Sequence, residues 1–276
     1  MLNKEFKCLN YGFVRLVDMM GDDFAIVQAA RTSYGKGTKT INADKNLIRY
    51  LMRNKHTSPF EMVEFKFHIK LPIFVARQWI RHRTANVNEY SGRYSEMPDE
   101  FYIPDANNIN YQSTNNKQVR SSEIYLDDDV IKKFENTQQN AYNEYKNFID
   151  NGMAREIARI NLPLSIFTEW YWKIDLHNLF HFLRLRLDKH SQYEIRVYAE
   201  VIAEILKELV PISYSAFEDY ILNAISFSAT ELNILKEIIN GSVYQINRDL
   251  LSDYGLSKGE SEEFLNKIEL IKEKNN

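Results

Sequence analysis

Residues 63–83 read VEFKFHIKLPIFVARQWIRHR, and the hydrophobic period of the chain changes in the middle of them. Val63, Phe65, Phe67 and Ile69 alternate with Glu64, Lys66, His68 and Lys70, the period of two expected of a strand with one buried face. His68 falls on the polar side and is expected to be solvated. Pro72 stands where a helix would begin, since its fixed φ suits the first turn and its missing N–H costs nothing there. The helix from Ile73 is expected to carry Gln78, Arg81, His82 and Arg83 to its C-terminal end.

The basic residues continue past that helix. FVARQWIRHRTANVNEYSGRY, residues 74–94, holds Arg77, Arg81, Arg83 and Arg93 against a single acid, Glu89. The whole chain has 35 Lys plus Arg against 38 Asp plus Glu, a formal charge of −3, so this cluster is local. A guanidinium is always charged and presents a planar fork that matches phosphate oxygens. Loop amides around Ser91 and Gly92 suit the other side of the same anion. The segment asks for an anionic ligand, and the acidic total argues against wholesale wrapping of nucleic acid.

The 276 residues, 44% hydrophobic and 26% charged, have the make-up of a folded protein with a sizeable core. One cysteine, Cys8, forms no internal disulfide, and a reducing, cytoplasmic setting is expected. The start of the chain has no apolar leader and no run approaches a membrane span. His177 and His181 share a helical face, but no second cluster of carboxylates or thiolates accompanies them, and no metal is expected. Neither a G-x-S-x-G elbow, a P-loop nor an H-E-x-x-H motif occurs.

Elsewhere the pattern predicts a strand over 13–17, a helix after the turn Gly21-Asp22-Asp23, and a polar loop from Arg31 to Gly37. A helix follows over 42–53, and Pro59 breaks the chain before the strand already described. Residues 105–125, rich in Asn, Ser and Gln, are expected to be a long surface loop. A long helix with an apolar stripe of Val130, Phe134, Ala141, Tyr145 and Phe148 is expected after acids at 127–129. Further expectations are a short helix over 154–160, a buried strand over 165–174, a helix capped by Asp175, and a helix over 192–209. The fold class is therefore α+β: one domain with a small antiparallel or mixed sheet flanked by long helices. Residues 1–220 read as the catalytic body and 221–276 as a helical extension of unknown role.

Arg81-His82-Arg83, a gap of seven residues, then Ser91, Gly92, Arg93 and Tyr94 resemble the signature of flavin-dependent thymidylate synthases. HTSPFE (56–61), ARINLP (158–163) and LRLDKHSQYE (185–194) resemble further segments of that family, in the family's order, and the resemblance spans roughly residues 10–215. It implies FAD-dependent reductive methylation of dUMP to dTMP, with 5,10-methylenetetrahydrofolate as carbon donor and NADPH as reductant. It also implies a homotetramer whose active sites draw on several subunits. Carried over by position, dUMP would be held by Gln78, Arg81, Glu89, Ser91, Gly92 and Arg93, with Arg159 and Arg186 arriving from a neighbouring part of the assembly. FAD would be held by Ser58, Arg81, His82, Arg83, Glu89, Asp175, His177 and His181, with His56 beside the flavin.

Some positions depart from the pattern. Many members carry Asn and Arg where Asp175 and His177 stand, and Asn where His181 stands; Ser58 replaces a common Thr and keeps its hydroxyl. The only cysteine is remote from every motif, so a sulfur nucleophile on the pyrimidine is not expected. Arg186 is the candidate catalytic residue, as a fixed cation that would favour a deprotonated N3 and a more nucleophilic C5. Two other classes stand beside this reading: a single-stranded nucleic-acid-binding module, against which the −3 charge argues, and a catalytically silent relative kept for assembly.

Overall fold

In the computed structural model, residues 1–32, 41–114, 119–125, 127, 129–241 and 246–273 are described, so the loop expected up to Gly37 lies outside them from residue 33. In chain order the elements begin with β1 (Glu5–Cys8), β2 (Gly12–Met20), α1 (Asp23–Arg31), α2 (Ile41–Arg53), β3 (Glu64–Pro72), α3 (Ile73–Trp79) and β4 (Asn86–Glu89). They continue with β5 (Asn110–Gln112), β6 (Arg120–Ile124), α4 (Val130–Asp150), α5 (Arg155–Ala158), β7 (Phe167–Asp175) and α6 (Leu176–Arg186). The last are α7 (Tyr193–Leu209), α8 (Pro211–Phe217), α9 (Ala229–Ile239), α10 (Arg248–Asp253) and α11 (Lys258–Glu273). Two compact units divide at Leu222 and Asn223.

The first unit is built on a five-stranded antiparallel sheet in the order β1-β2-β3-β7-β4. The fold is thus mixed helix and sheet, as the periodicity predicts. Val63, Phe65, Phe67, Ile69 and Leu71 point to one face and are fully buried, together with Trp170, Trp172 and Ile174 from β7. Helices α3, α6 and α7 cover that face. Trp79 at the end of α3 meets Phe182 of α6 at 4.5 Å between ring centroids and Trp172 edge-on at 5.1 Å. Burying an indole of this size contributes roughly 5 kcal/mol of transfer free energy as an upper bound. That packing brings the end of α3 next to the far end of α6, and the site depends on it.

Several expectations change. His68 is not solvated: its side chain is only 14% exposed, stacked on Tyr171 at 4.9 Å, bonded to Arg15 through Nδ1 and to Glu169 through Nε2 at 2.9 Å. The polar side of β3 is a paired charge network, because its neighbours β2 and β7 supply partners that periodicity does not show. Helix α3 stops at Trp79 with Ile80 as its C-cap, so Arg81, His82 and Arg83 lie beyond it. The chain must turn there to reach the edge of β7, where Asn86 pairs with Lys173. The loop expected over 105–125 contains a 3-10 turn (Ala106–Asn108) and the β5–β6 hairpin. Both hairpin strands are mostly exposed, so no apolar alternation announces them. Phe134 in the predicted stripe of α4 is 41% exposed, whereas Tyr145 is buried as expected and Gln138 is buried unexpectedly.

The second unit, Asn223–Asn276, has its own small core of Ile234, Leu251, Leu256 and Phe264. Ser228 and Glu231 form a capping box at the start of α9, and Lys267 bonds Glu231 at 2.7 Å. Among the described residues no helix is long and apolar enough to cross a membrane.

Candidate active site

Arg186 closes α6 and His82 lies in the turn after α3. The Arg186 Nε donates to His82 Nε2 at 3.1 Å. A ring nitrogen that accepts carries no proton, so His82 is held neutral with its proton on Nδ1. Burial is the first cause, and the adjoining charges of Arg186 and His181 add to it; together they push His82 from 6.5 down to about 4. Because Nε is used on His82, both terminal nitrogens of Arg186 remain for a ligand. Burial also lowers the affinity of Arg186 for its proton, yet guanidinium remains the cationic form.

Two cavities meet at this residue. The larger, about 910 Å³, is lined by Gln78, Leu185, Arg186, the turn from Asp188 to Tyr193, and Asn108, Asn110 and Arg120. The Oε1 of Gln78 is buried there without a hydrogen-bond partner, an acceptor left for a ligand's donor. The smaller cavity, about 310 Å³, is lined by Arg81, His82, Arg83, Thr84, Asn178 and His181, again with Leu185 and Arg186. Among the described residues no carboxylate lines it. A donor set of arginine, imidazole, hydroxyl and amide groups fits the phosphates and polar ring edge of a flavin nucleotide.

The other expected residues fall into two further places. Glu89 ends β4 and accepts from the Thr168 hydroxyl at 2.8 Å. Ser91 begins a turn whose amides at Tyr94 and Ser95 return to its carbonyl. Gly92 is buried under Arg159: a Cβ there would sit 3.3 Å from the Arg159 Cδ and Nη1 and 2.7 Å from the Met97 Sδ. Arg93 pairs with Glu156 at 3.1 Å. Glu89, Ser91, Gly92, Arg93 and Arg159 line neither of the two cavities. They stand at the opposite end of β4 from His82, across roughly 10 Å of strand. Arg159 and Arg186, expected from elsewhere in an assembly, each lie beside the basic segment of their own chain.

The third place is the start of α6. Asp175 caps it, taking the Asn178 amide N–H on Oδ1 at 2.9 Å and the Asn178 Nδ2 on Oδ2 at 2.7 Å. His177 lies next to it on α6 and lines neither cavity. The turn Phe60–Met62 packs on α6, and Leu176 donates to the Val63 carbonyl at 2.8 Å. Ser58 and His56, both exposed, precede that turn, with the His56 ring edge-on to Tyr50 at 5.7 Å.

Sequence reasoning missed Asn178, Thr84 and Leu185. Asn178, His181 and Leu185 are spaced three and four apart, so the helical period carries the signal. Asn108, Asn110 and Arg120 were missed because the 3-10 turn and the hairpin that carry them have no pattern of their own. Cys8 is 1% exposed, and burial pushes its thiol up to about 12, which removes it as a nucleophile.

The family described as "Thymidylate synthase complementing protein" matches residues 15–212. The flavin-dependent thymidylate synthase of Treponema denticola is 54% identical over 270 residues, covering 97% of this chain and 98% of its own. That of Thermus thermophilus is 54% identical over 260 residues, 94% of each chain. The crystal structure of a UMP/dUMP methylase, PolB from Streptomyces cacaoi, bound with 5-Br UMP, superposes with a TM-score of 0.70 at 36% identity, over 76% of this chain and 94% of that one. With identity of this order along nearly the whole length, and a family match that takes in β3, α3, β7 and α6, the chain belongs to the flavin-dependent thymidylate synthases.

Proposed function

We propose that this protein methylates dUMP to dTMP with a bound flavin, taking the carbon from 5,10-methylenetetrahydrofolate and its reducing equivalents from NADPH. The observation that carries the reading is Arg186: one guanidinium, anchored on a neutral His82, lines both cavities at once. We assign the nucleotide to the larger cavity and FAD to the smaller. Bound there, FAD would supply the hydride that completes the methyl group.

The side chains supply position and charge. Arg186 faces the pyrimidine with its two free nitrogens, stabilises negative charge on the ring and raises the nucleophilicity of C5. Gln78 accepts from a nucleotide donor through its unpartnered Oε1. Arg81, Arg83 and His181, with Thr84 and Asn178, bind the cofactor's anionic and polar atoms. Ser58 and His56 approach it from the turn beside α6. His177 and Asp175 stay near the same helix end, Asp175 chiefly as a cap.

Glu89, Ser91, Gly92, Arg93 and Arg159 form a second half-site, with loop amides and two arginines for the nucleotide phosphate. Their separation from the two cavities supports a homotetramer, in which one copy's Ser91 turn covers another's larger cavity. A cytoplasmic location suits the nucleotide substrate and the lone reduced thiol.

The test is direct. Purified protein should show a flavin absorption spectrum that dUMP perturbs, and should form dTMP when methylenetetrahydrofolate and NADPH are added. Protein that takes up no flavin, or that binds it and forms no dTMP, overturns the reading.

A further inference from the structure

The β5–β6 hairpin is held on the body by a buried charge. Glu194, in the first turn of α7, is 1% exposed. Its Oε1 accepts from the Tyr102 hydroxyl at 2.9 Å and its Oε2 from the Gln192 Nε2 at 2.9 Å. Arg120, the first residue of β6, brings one terminal nitrogen to both oxygens at 2.5 and 2.6 Å. Its other terminal nitrogen donates to the Asn108 carbonyl at 2.8 Å, tying the two sides of the hairpin's base. Glu194 is removed from water while the Arg120 side chain stays 35% exposed; burying a carboxylate is costly even when it is paired, so the pair is better suited to fixing one arrangement than to adding net stability.

What it fixes is a cavity wall. Asn108, Asn110 and Arg120 line the larger cavity, as do Ser191, Gln192 and Tyr193, directly before Glu194, and Arg186 and Gln78. The Arg120 guanidinium thus joins the hairpin's part of the lining to the part that precedes α7. If the hairpin swung away, the cavity would lose its part of the lining and become open surface around Arg186.

We propose that Arg120 is a positioning residue for the nucleotide: through Glu194 it holds the β5–β6 hairpin as the outer wall of the dUMP pocket. This rests on the assignment of dUMP to the larger cavity. Arg120 acts on affinity, because the wall is present before and after reaction, and leaves the chemical step at Arg186 alone.

The experiment uses the full-length flavin-loaded enzyme, with dUMP affinity read by titration of the flavin spectrum and kcat and KM read from dTMP formation. Arg120→Ala should raise Kd and KM for dUMP about tenfold or more, with kcat within about threefold of wild type and flavin content unchanged. Arg120→Lys, which keeps the charge and loses the fork, should recover part of that affinity and guards against a folding defect in the alanine variant. Faster proteolytic cleavage within residues 105–125 in the alanine variant is expected. Wild-type Kd and KM in both variants overturn the proposal, as does a fall in kcat at unchanged KM. Failure of the wild-type enzyme itself to bind dUMP would instead remove the nucleotide assignment on which the proposal stands.

Discussion

Replacing Arg186 by alanine removes a half-buried cation that lines the larger cavity, together with both its terminal nitrogens. A hydrogen bond from a charged group contributes about 1.5–3 kcal/mol. Two such bonds would give up to about 6 kcal/mol, but the site is open enough for water to replace part of them. The expected loss of transition-state stabilisation is therefore about 3–4 kcal/mol, a fall in kcat/KM of roughly 150- to 900-fold. This agrees with the 10²–10³ typical of removing one preorganised donor from an anion-stabilising site. Arg186→Lys keeps the charge and loses the Nε contact to His82 together with the fork, so a loss of about 1.5 kcal/mol, roughly tenfold, is expected. The assay is dTMP formation over a range of dUMP concentrations, with flavin absorbance as a measure of loading. An alanine variant within about threefold of wild type at full flavin content would refute the idea that this guanidinium activates the pyrimidine. So would a variant whose whole defect is loss of flavin.

Two further outcomes follow from the same geometry. The folded His82 titrates at about 4 rather than 6.5, so below 6.5 the unfolded chain takes up a proton that the folded one refuses; this residue's contribution to stability is lost as pH falls through that window. In Arg186→Ala its pKa should rise, though not fully, because burial is the larger cause, and NMR titration of the His82 ring in both proteins checks this. Gly92→Ala has an ordinary backbone to adopt, but its Cβ presses on the Met97 Sδ at 2.7 Å and on Arg159 at 3.3 Å. The flexible thioether yields, and overpacking should cost about 1 kcal/mol of stability. Arg159 shifts with it, and the KM for dUMP should rise several-fold in steady-state kinetics while kcat holds; an unchanged KM would separate Arg159 from the nucleotide.

Much of this molecule is legible from residue order alone. The alternation from Val63 to Lys70, the proline at 72, the aspartate cap at 175 and the apolar face of residues 192–209 each declare a local element, because burial of one face imposes its period on the chain. The motif from Arg81 to Tyr94 is legible in another way: its guanidinium forks and loop amides ask for an anion, while the flavin chemistry comes from the resemblance to a known family. Periodicity is silent where neither face is buried or where both faces have partners. Strand β4 and the β5–β6 hairpin were invisible for the first reason, and His68 was misread for the second. The stop of α3 at Trp79 was decided by packing, because the indole is held between Trp172 and Phe182 while the chain turns to meet the edge of β7. The contact of His82 with Arg186, separated by 104 residues, exists only because α3 and α6 share that aromatic seam. Local order thus supplied the candidate groups; tertiary packing decided which of them meet, since long-range contact depends on shapes that no short stretch of sequence contains.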